Sequence, residues 1–203
     1  MPDLFGREGF ERRSAEPRQL ANDAATSTAS QSGKLRGVRS AQGPYREHQD
    51  TIRRAKPEEA QLLTELCMRS KAYWGYDAAF LEGFRRELSV SPEYIANDHV
   101  FVLEDGERIV GFCSLREREN GEILLEDLFI EPGVIGKGYG KQLWQYAVKT
   151  AKQLGFRQMV LESDPNAEPF YRAMGAKRVG EVPSSVVEGR MLPLMRISLE
   201  EDA

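Results

Sequence analysis

The sequence predicts an α/β (α+β) protein with a mixed, mostly antiparallel, twisted sheet of about seven strands and helices on both faces. Three observations support this fold class. Two-residue turns, Asp105-Gly106 and Asn120-Gly121, separate apolar runs with strand character, as in β-hairpins. A glycine-rich loop at 136–140 then stands between a strand and an amphipathic helix. Two further strand-like runs follow near the end of the sequence.

Each element is predicted from a local signal. Pro57 suits the first turn of a helix, where a missing N–H removes no hydrogen bond. Gly155 and Gly175 stand where two helical patterns stop. The predicted elements, in order, are strand 52–54, a helix from Pro57 through Cys67, a second helix after Asp77, strands 99–104, 108–116 and 122–130, helix 141–154 with Trp144 on its buried face, strand 158–163, a short helix through 170–174, and strands 177–182 and 192–199.

The composition limits the classes of function that this chain can have. The chain has 203 residues, 40% of them apolar, and a net charge of −4, which fits one globular domain without a basic nucleic-acid surface. No apolar run is long enough to cross a membrane, so we expect a cytoplasmic protein. Two cysteines and two histidines lack the spacing of metal ligands, and the thiols are expected to be buried and free. We therefore expect no metal, no nucleic acid and no membrane partner.

The first fifty residues differ from the rest. They are rich in small and polar residues, have almost balanced charge and show hardly any periodic apolar pattern. This composition predicts a disordered N-terminal leader over residues 1–50 and a folded domain over 51–203. Acidic residues among the early arginines argue against a transit peptide.

The glycine loop has the character of an anion site. Gly136, Gly138 and Gly140 alternate with Lys137 and Tyr139, and a helix opens directly behind them with Lys141 in its first turn. Glycine lets the backbone approach an anion closely, and a helix start directs free N–H groups at it. The spacing fits neither a P-loop nor a dinucleotide fingerprint, because Gly136-Lys137 is followed by glycine and the loop lies beyond the chain's middle. A flexible turn before a surface helix is the alternative.

Three segments together resemble the GNAT superfamily of acetyl-CoA-dependent N-acetyltransferases. They are Leu-Glu-Asp-Leu-Phe-Ile-Glu-Pro at 125–132, the loop at 136–140, and Asn166 with Phe170-Tyr171 and Gly175. The resemblance covers about residues 51–200. It implies a GNAT domain over 51–203 with acetyl-CoA as co-substrate. The cofactor-binding residues that it implies are Leu128, Phe129, Ile130, Gly136, Lys137, Gly138, Tyr139, Gly140, Lys141, Asn166 and Phe170.

One position departs from the family pattern. Where the family loop usually carries Gln or Arg, three residues before Gly138, this chain has Ile135. The loss of one polar side chain should weaken pyrophosphate binding without abolishing it, because backbone N–H groups provide most of the contacts.

The resemblance also implies catalytic residues. Glu126, in the strand before the loop, is the predicted base that deprotonates the amine, and Asp127 is the second choice. Strict alternation would place these two acids on opposite faces unless a bulge intervenes. Tyr171 matches the family tyrosine and is the predicted acid for the departing thiolate. Each could instead be an ordinary exposed acid or packing tyrosine.

The acceptor is the least constrained part. Trp74, Tyr76 and Asp77 could form an aromatic, acidic mouth for a cationic amine, or equally a seam between two helices. Arg190, with Ser184 and Ser185, could line the other side and would suit a carboxylate. We predict N-acetylation of a small-molecule primary amine by direct attack in a ternary complex. The alternatives are a protein lysine or N-terminal acetyltransferase and a non-catalytic acyl-CoA sensor. The protein could also form a homodimer.

Overall fold

Within the described residues, 50–118 and 120–200, the computed structural model contains one mixed sheet of seven strands. All neighbouring strands are antiparallel except β4 and β5. The spatial order is β1-β2-β3-β4-β5-β7-β6. The strands are β1 Thr51–Arg54, β2 His99–Asp105, β3 Arg108–Glu117, β4 Ile123–Ile130, β5 Gln158–Glu162, β6 Lys177–Pro183 and β7 Met191–Ser198. The predicted fold class is confirmed.

The sheet opens between β4 and β5. The two strands pair through Ile123 with Met159 and Leu124 with Val160, near the start of each strand. Farther along, β4 pairs with β3 and β5 pairs with β7, but β4 and β5 have no further register pairs. The β4 backbone after Leu124 is therefore paired along one edge, and its other edge faces the opening.

A β-bulge lies where the sheet opens. Ser114 pairs with Asp127 and Leu115 pairs with Leu125, so Glu126 is an extra residue in β4. Both acids then contact groups on one face of the sheet: Glu126 reaches Arg116, and Asp127 reaches Tyr94. The Arg116 guanidinium lies 5.1 Å from the centre of the Tyr94 ring, which places the two contacts side by side. The bulge is the expected exception to strict alternation, and it places both acids on the same face.

Helices cover both faces of the sheet, as predicted. One apolar cluster places Leu143, Trp144 and Ala147 of the longest helix against β2, β3, β4, β5 and β7. A second cluster packs Leu63 and Leu66 of the first helix on the opposite face. Trp144 is buried, as expected, and so are the free thiols of Cys67 and Cys113. The helices are α1 Ala60–Ala72, α2 Ala78–Phe84, α3 Pro92–Asn97, α4 Tyr139–Gln153 and α5 Glu168–Ala173, with 3₁₀ turns at Pro57–Glu59 and Pro132–Val134.

The differences from the predicted elements are few. Helix α3 was not predicted, although Ser91 caps it through a bond to the Tyr94 N–H and Pro92 occupies its first turn. Helix α4 begins at Tyr139, two residues earlier than predicted. Apart from Asp50, the predicted leader lies outside the described residues. None of the described helices is long and apolar enough to span a bilayer.

Candidate active site

A cavity of about 560 Å³ lies where β4 and β5 diverge. Four parts of the chain surround it: the second half of β4, the glycine loop, the segment from β5 through α5, and a wall made by the end of α1, the region after α2 and the β6–β7 loop. Its lining includes Lys71, Trp74, Glu87, residues 124–130, Ile135, Gly136, Gly138, Gly140, Lys141, Glu162, Asp164, Asn166, Phe170, Tyr171, Ser184 and Ser185. The cavity thus brings together most of the residues that the sequence predicts for the site.

The glycine loop presents its backbone to this cavity. Gly136 and Gly138 have φ angles of 88° and 93°, which a side chain disfavours. No heavy atom outside the adjoining residues lies within 4 Å of the Cβ that either glycine lacks, so a ligand can come close. Gly138 also caps α4, whose first-turn N–H groups have no acceptor within the helix. The loop has the geometry of an anion site.

Two predicted loop residues turn their side chains elsewhere. Tyr139 is buried and its hydroxyl donates to Asp105 Oδ2 at 2.8 Å, at the far end of β2. Lys137 is exposed outside the cavity lining, and its backbone N–H donates to the Val134 carbonyl at 3.2 Å. Neither residue is part of the cavity lining. Lys141, by contrast, does line the cavity.

The β4 residues 128–130 supply a second backbone surface. Leu128, Phe129 and Ile130 pair with Cys113, Phe112 and Gly111 of β3 along one edge. Their other edge faces the opening left by β5, and all three residues line the cavity. Backbone groups on an unpaired strand edge can bind an extended ligand as a neighbouring strand would.

The two β4 acids line the cavity but are held differently. Glu126 lies 3.2 Å from Arg116 Nη1, and its side chain is 34% exposed. Burial raises the pKa of its carboxyl and the Arg116 charge partly opposes that rise. Asp127 Oδ2 accepts hydrogen bonds from the Ser114 hydroxyl at 2.7 Å and the Tyr94 hydroxyl at 2.8 Å. Burial raises its pKa as well, against the effect of these two bonds.

Tyr171 lies across the cavity from β4, on α5. Its ring is buried between Trp144 and Phe170, with ring centres 5.5 Å and 5.1 Å away. Burial, followed by the charge of Asp127, raises the pKa of its hydroxyl. The hydroxyl therefore stays protonated at neutral pH and can give up a proton to a strongly basic neighbour.

Of the residues predicted to bind the acceptor amine, only some line the cavity. Trp74 lines the cavity, but Asp77 does not: its carboxylate accepts from the Phe80 N–H at 2.8 Å and caps α2. Tyr76 and Arg190 lie behind the lining, where both contact Asp164. Arg190 therefore already has an internal carboxylate partner.

Several cavity residues were not anticipated from the sequence. Asp164 lies two residues after the end of β5, where β4 and β5 separate, and that position was the available signal. Lys71, Glu87 and Glu162 gave no comparable signal, since each looks like a solvent-facing charge in its local pattern. No group of His, Cys, Asp and Glu suited to a metal ion occurs in the part of the chain that the structure describes.

The structure thus combines a mixed sheet that opens between two parallel strands with a glycine loop that caps the adjoining helix. A sequence model of the acetyltransferase (GNAT) family matches residues 65–176, more than half of the chain. The chain therefore belongs to the GNAT family of acetyltransferases, and it is an acyltransferase enzyme.

Curated relatives agree with this assignment. The chain is 33% identical over 152 residues to the peptidyl-lysine N-acetyltransferase YjaB of Salmonella typhimurium, covering 72% of this chain and 95% of that protein. It is 29% identical over 125 residues to the peptidyl-lysine N-acetyltransferase YiaC of Escherichia coli, covering 61% and 81%. A shorter match, 32% identical over 68 residues, covers 34% of this chain and 38% of an uncharacterized ycf52-like N-acetyltransferase of Prochlorococcus marinus.

Among solved structures, the fold resembles PaiA N-acetyltransferase from Thermoplasma acidophilum, crystallised in complex with coenzyme A. The TM-score is 0.57 at 22% identity, covering 74% of this chain and 99% of that one.

Proposed function

We propose that this enzyme transfers the acetyl group of acetyl-CoA to a primary amine, by direct attack while both substrates are bound. The observation that carries the proposal is the single cavity in which the glycine loop, the unpaired edge of β4, the two acids and Tyr171 meet. Acetyl-CoA supplies an already activated thioester, so the protein has to align the amine and manage two protons.

The glycine loop and β4 would hold the co-substrate. Backbone N–H groups of the loop and the first turn of α4 suit the pyrophosphate, and the free edge of residues 128–130 suits the pantetheine arm. The lack of atoms near the missing Cβ positions of Gly136 and Gly138 supports this fit. Ile135 lines the cavity in place of a polar side chain, so Lys141 is the cation best placed to assist.

One of the β4 acids would take the proton from the amine. A free alkyl amine has a pKa near ~10.4, so its neutral form at pH 7 costs roughly 5 kcal/mol. Glu126 is the preferred base because its carboxylate is partly exposed in the cavity, while Asp127 Oδ2 already receives two hydroxyl hydrogen bonds. The raised pKa of Glu126 makes its carboxylate a stronger base.

Tyr171 would protonate the departing thiolate. Its hydroxyl is neutral at working pH because burial raises its pKa, and its ring is fixed between two aromatic neighbours. A general acid must carry its proton until charge develops on the leaving group, which this environment favours.

A lysine side chain in a protein or peptide is the proposed acceptor. YjaB and YiaC are both named peptidyl-lysine N-acetyltransferases, and YjaB aligns with nearly its whole length. Glu87, Glu126 and Glu162 add negative charge to the cavity wall, which favours a cationic amine. The small-molecule amine predicted from the sequence is the alternative, and the test below separates the two.

The test is release of free coenzyme A thiol with three acceptor sets: lysine-containing peptides, the same peptides with arginine in place of lysine, and free polyamines and amino acids. Lysine-dependent release, with a mass increase of one acetyl group on the peptide, supports the proposal. Release with free amines alone would move the acceptor to small molecules. If calorimetry shows that acetyl-CoA binds but no acceptor is acetylated, the chain would be a non-catalytic acyl-CoA sensor.

A further inference from the structure

Asp164 gathers four hydrogen-bond donors beside the cavity. Lys71 Nζ lies 2.6 Å from Oδ2, the Tyr76 hydroxyl lies 3.0 Å from both carboxylate oxygens, and Arg190 Nη2 lies 3.2 Å from Oδ2. The backbone N–H of Asn166 donates to Oδ1 at 3.0 Å. The Lys71, Asp164 and Arg190 side chains are 11–15% exposed, so these bonds are made in a largely dry environment.

Tyr76 connects Asp164 to the Asn166 side chain through hydrogen bonds. A phenol has one hydrogen to donate, and here it points to Asp164, the group that only accepts. The oxygen can then accept two bonds, from Arg190 Nη2 at 2.8 Å and from the Asn166 side-chain Nδ2 at 3.0 Å. The ring itself is held by stacking on Phe80 at 4.3 Å.

The bond from Nδ2 fixes which way the Asn166 amide points. With Nδ2 engaged by Tyr76, the carbonyl oxygen Oδ1 is the end of the amide left to accept a hydrogen bond from a ligand. Asn166 is exposed and lines the cavity. A pantetheine arm carries amide N–H donors, which need an acceptor in a fixed place.

We propose that Tyr76 is a positioning residue: anchored by Asp164, it orients the Asn166 amide so that Oδ1 accepts from the pantetheine arm of acetyl-CoA. The inference rests on the proposed function, which supplies the ligand. It gives Tyr76, which sequence patterns placed at the acceptor mouth, a role in cofactor binding from behind the cavity wall.

The test is a double-mutant cycle on acetyl-CoA affinity, measured by calorimetry on the full chain. Tyr76→Phe keeps the ring and removes the hydroxyl, and Asn166→Ala removes the amide that it orients. Tyr76→Phe should raise the Kd about fivefold to tenfold in the wild-type background and less than twofold in the Asn166→Ala background. Tyr146→Phe is the matched control, since Tyr146 packs on Phe101 outside the cavity lining, and it should leave the Kd unchanged.

The outcomes are distinguishable. An equal rise in Kd in both backgrounds would overturn the positioning role, because the hydroxyl would then act independently of Asn166. An unchanged Kd in Tyr76→Phe would overturn it as well. If the wild-type chain did not bind acetyl-CoA at all, the proposed function would fail together with the inference. Asp164 itself is not replaced, because Lys71 and Arg190 would be left buried without a counter-charge.

Discussion

Glu126 and Asp127 are neighbours on one face of β4, yet their surroundings suit different tasks. Glu126 is the extra residue of the bulge, where its side chain is a third exposed and paired with Arg116. Asp127 is tied to Ser114 and Tyr94, and its backbone N–H also donates to Ser114 Oγ at 3.0 Å. A base must reach substrate and solvent in turn, which favours Glu126. Asp127 Oδ2 already accepts two hydroxyl hydrogen bonds, so this carboxylate is less available to the amine.

Glu126→Gln should lower kcat/KM most near neutral pH, because it removes the proton acceptor and keeps the size of the side chain. At higher pH more of the amine is already neutral, so the variant should approach the wild type for acceptors with a pKa near ~10. The measurement is a pH–rate series on one lysine peptide. Asp127→Asn is the comparison, and Glu181→Gln on the edge strand β6 is the control.

The outcomes of this series assign the base. A deficit confined to Asp127→Asn would transfer the role to that residue. Equal pH profiles for all variants would mean that water or another group takes the proton.

Tyr171→Phe should lower kcat by roughly one to three decades with little change in acetyl-CoA affinity. It removes one hydroxyl and keeps the ring that packs between Trp144 and Phe170. Single-turnover thiol release with calorimetry on the same protein separates the two effects. Turnover at the wild-type rate would make Tyr171 a packing residue only.

At the scale of elements, the glycine loop combines two requirements in a few residues. It must cap α4 and leave room for an anion, and Gly138 meets both with a left-handed backbone and open space at the missing Cβ. A side chain at this position would strain the backbone and fill the cavity at the same time.

Gly138→Val should weaken acetyl-CoA binding by more than tenfold while the protein still folds. Gly155→Val is the matched control: Gly155 has a φ of 90°, has no nearby atom at its missing Cβ, and lies in the α4–β5 turn outside the cavity lining. Both variants should lose similar stability in thermal unfolding, since the backbone strain is alike. A similar loss of affinity in both would show that strain, and not obstruction, weakens binding.

The sequence predicted those elements whose signals are local. The hairpin turns, the apolar face of α4 and the glycines that end two helices all follow from neighbouring residues. Apart from the missed helix α3, the predicted order of strands and helices was correct. The bulge at Glu126 could not be predicted, because it depends on how β4 pairs with Ser114 and Leu115 of β3. The bonds that Tyr76 and Arg190 make to Asp164 join residues 88 and 26 positions apart, and no local pattern encodes them.

For the molecule as a whole, the cavity exists because two antiparallel parts of the sheet meet through the short parallel pairing of β4 with β5. The apolar cluster under α4 spans this junction, with Leu103 and Leu125 on one side and Leu161 and Met195 on the other. The core thus stabilises the sheet beneath the point where its strands separate, so the site can stay open without loss of the fold.

Removal of residues 1–49 should leave the melting temperature and the activity nearly unchanged. The sequence of that segment lacks apolar periodicity, so we expect it to add little to a core. Asp50 is kept because it accepts from Gln142 Nε2 at 2.9 Å. Thermal unfolding and thiol release on both chains test this, and a fall of several degrees on truncation would contradict it.

Asp127→Asn should raise the stability of the whole protein at neutral pH while it leaves stability in acid unchanged. Burial raises the pKa of Asp127 in the folded state above its value in the unfolded state. The carboxyl group therefore stabilises the fold while it is protonated. That stabilisation is lost as the pH rises through the folded-state pKa. Asparagine removes the charge, and the Ser114 and Tyr94 hydroxyls can rotate to accept from its amide. We expect a gain of roughly 2–4 °C in Tm, about 1 kcal/mol for a domain of this size.

The measurement is Tm at pH 7.5 and at about pH 4 for wild type, Asp127→Asn and Glu126→Gln. The increase in Tm caused by Asp127→Asn should be smaller at the lower pH, because more of the wild-type carboxyl is protonated there. Glu126→Gln should show no comparable gain, because its more exposed carboxylate loses the ion pair with Arg116. If Asp127→Asn were instead less stable at pH 7.5, the two hydroxyl bonds would outweigh desolvation, and Asp127 would be a structural anchor whose charge the fold requires.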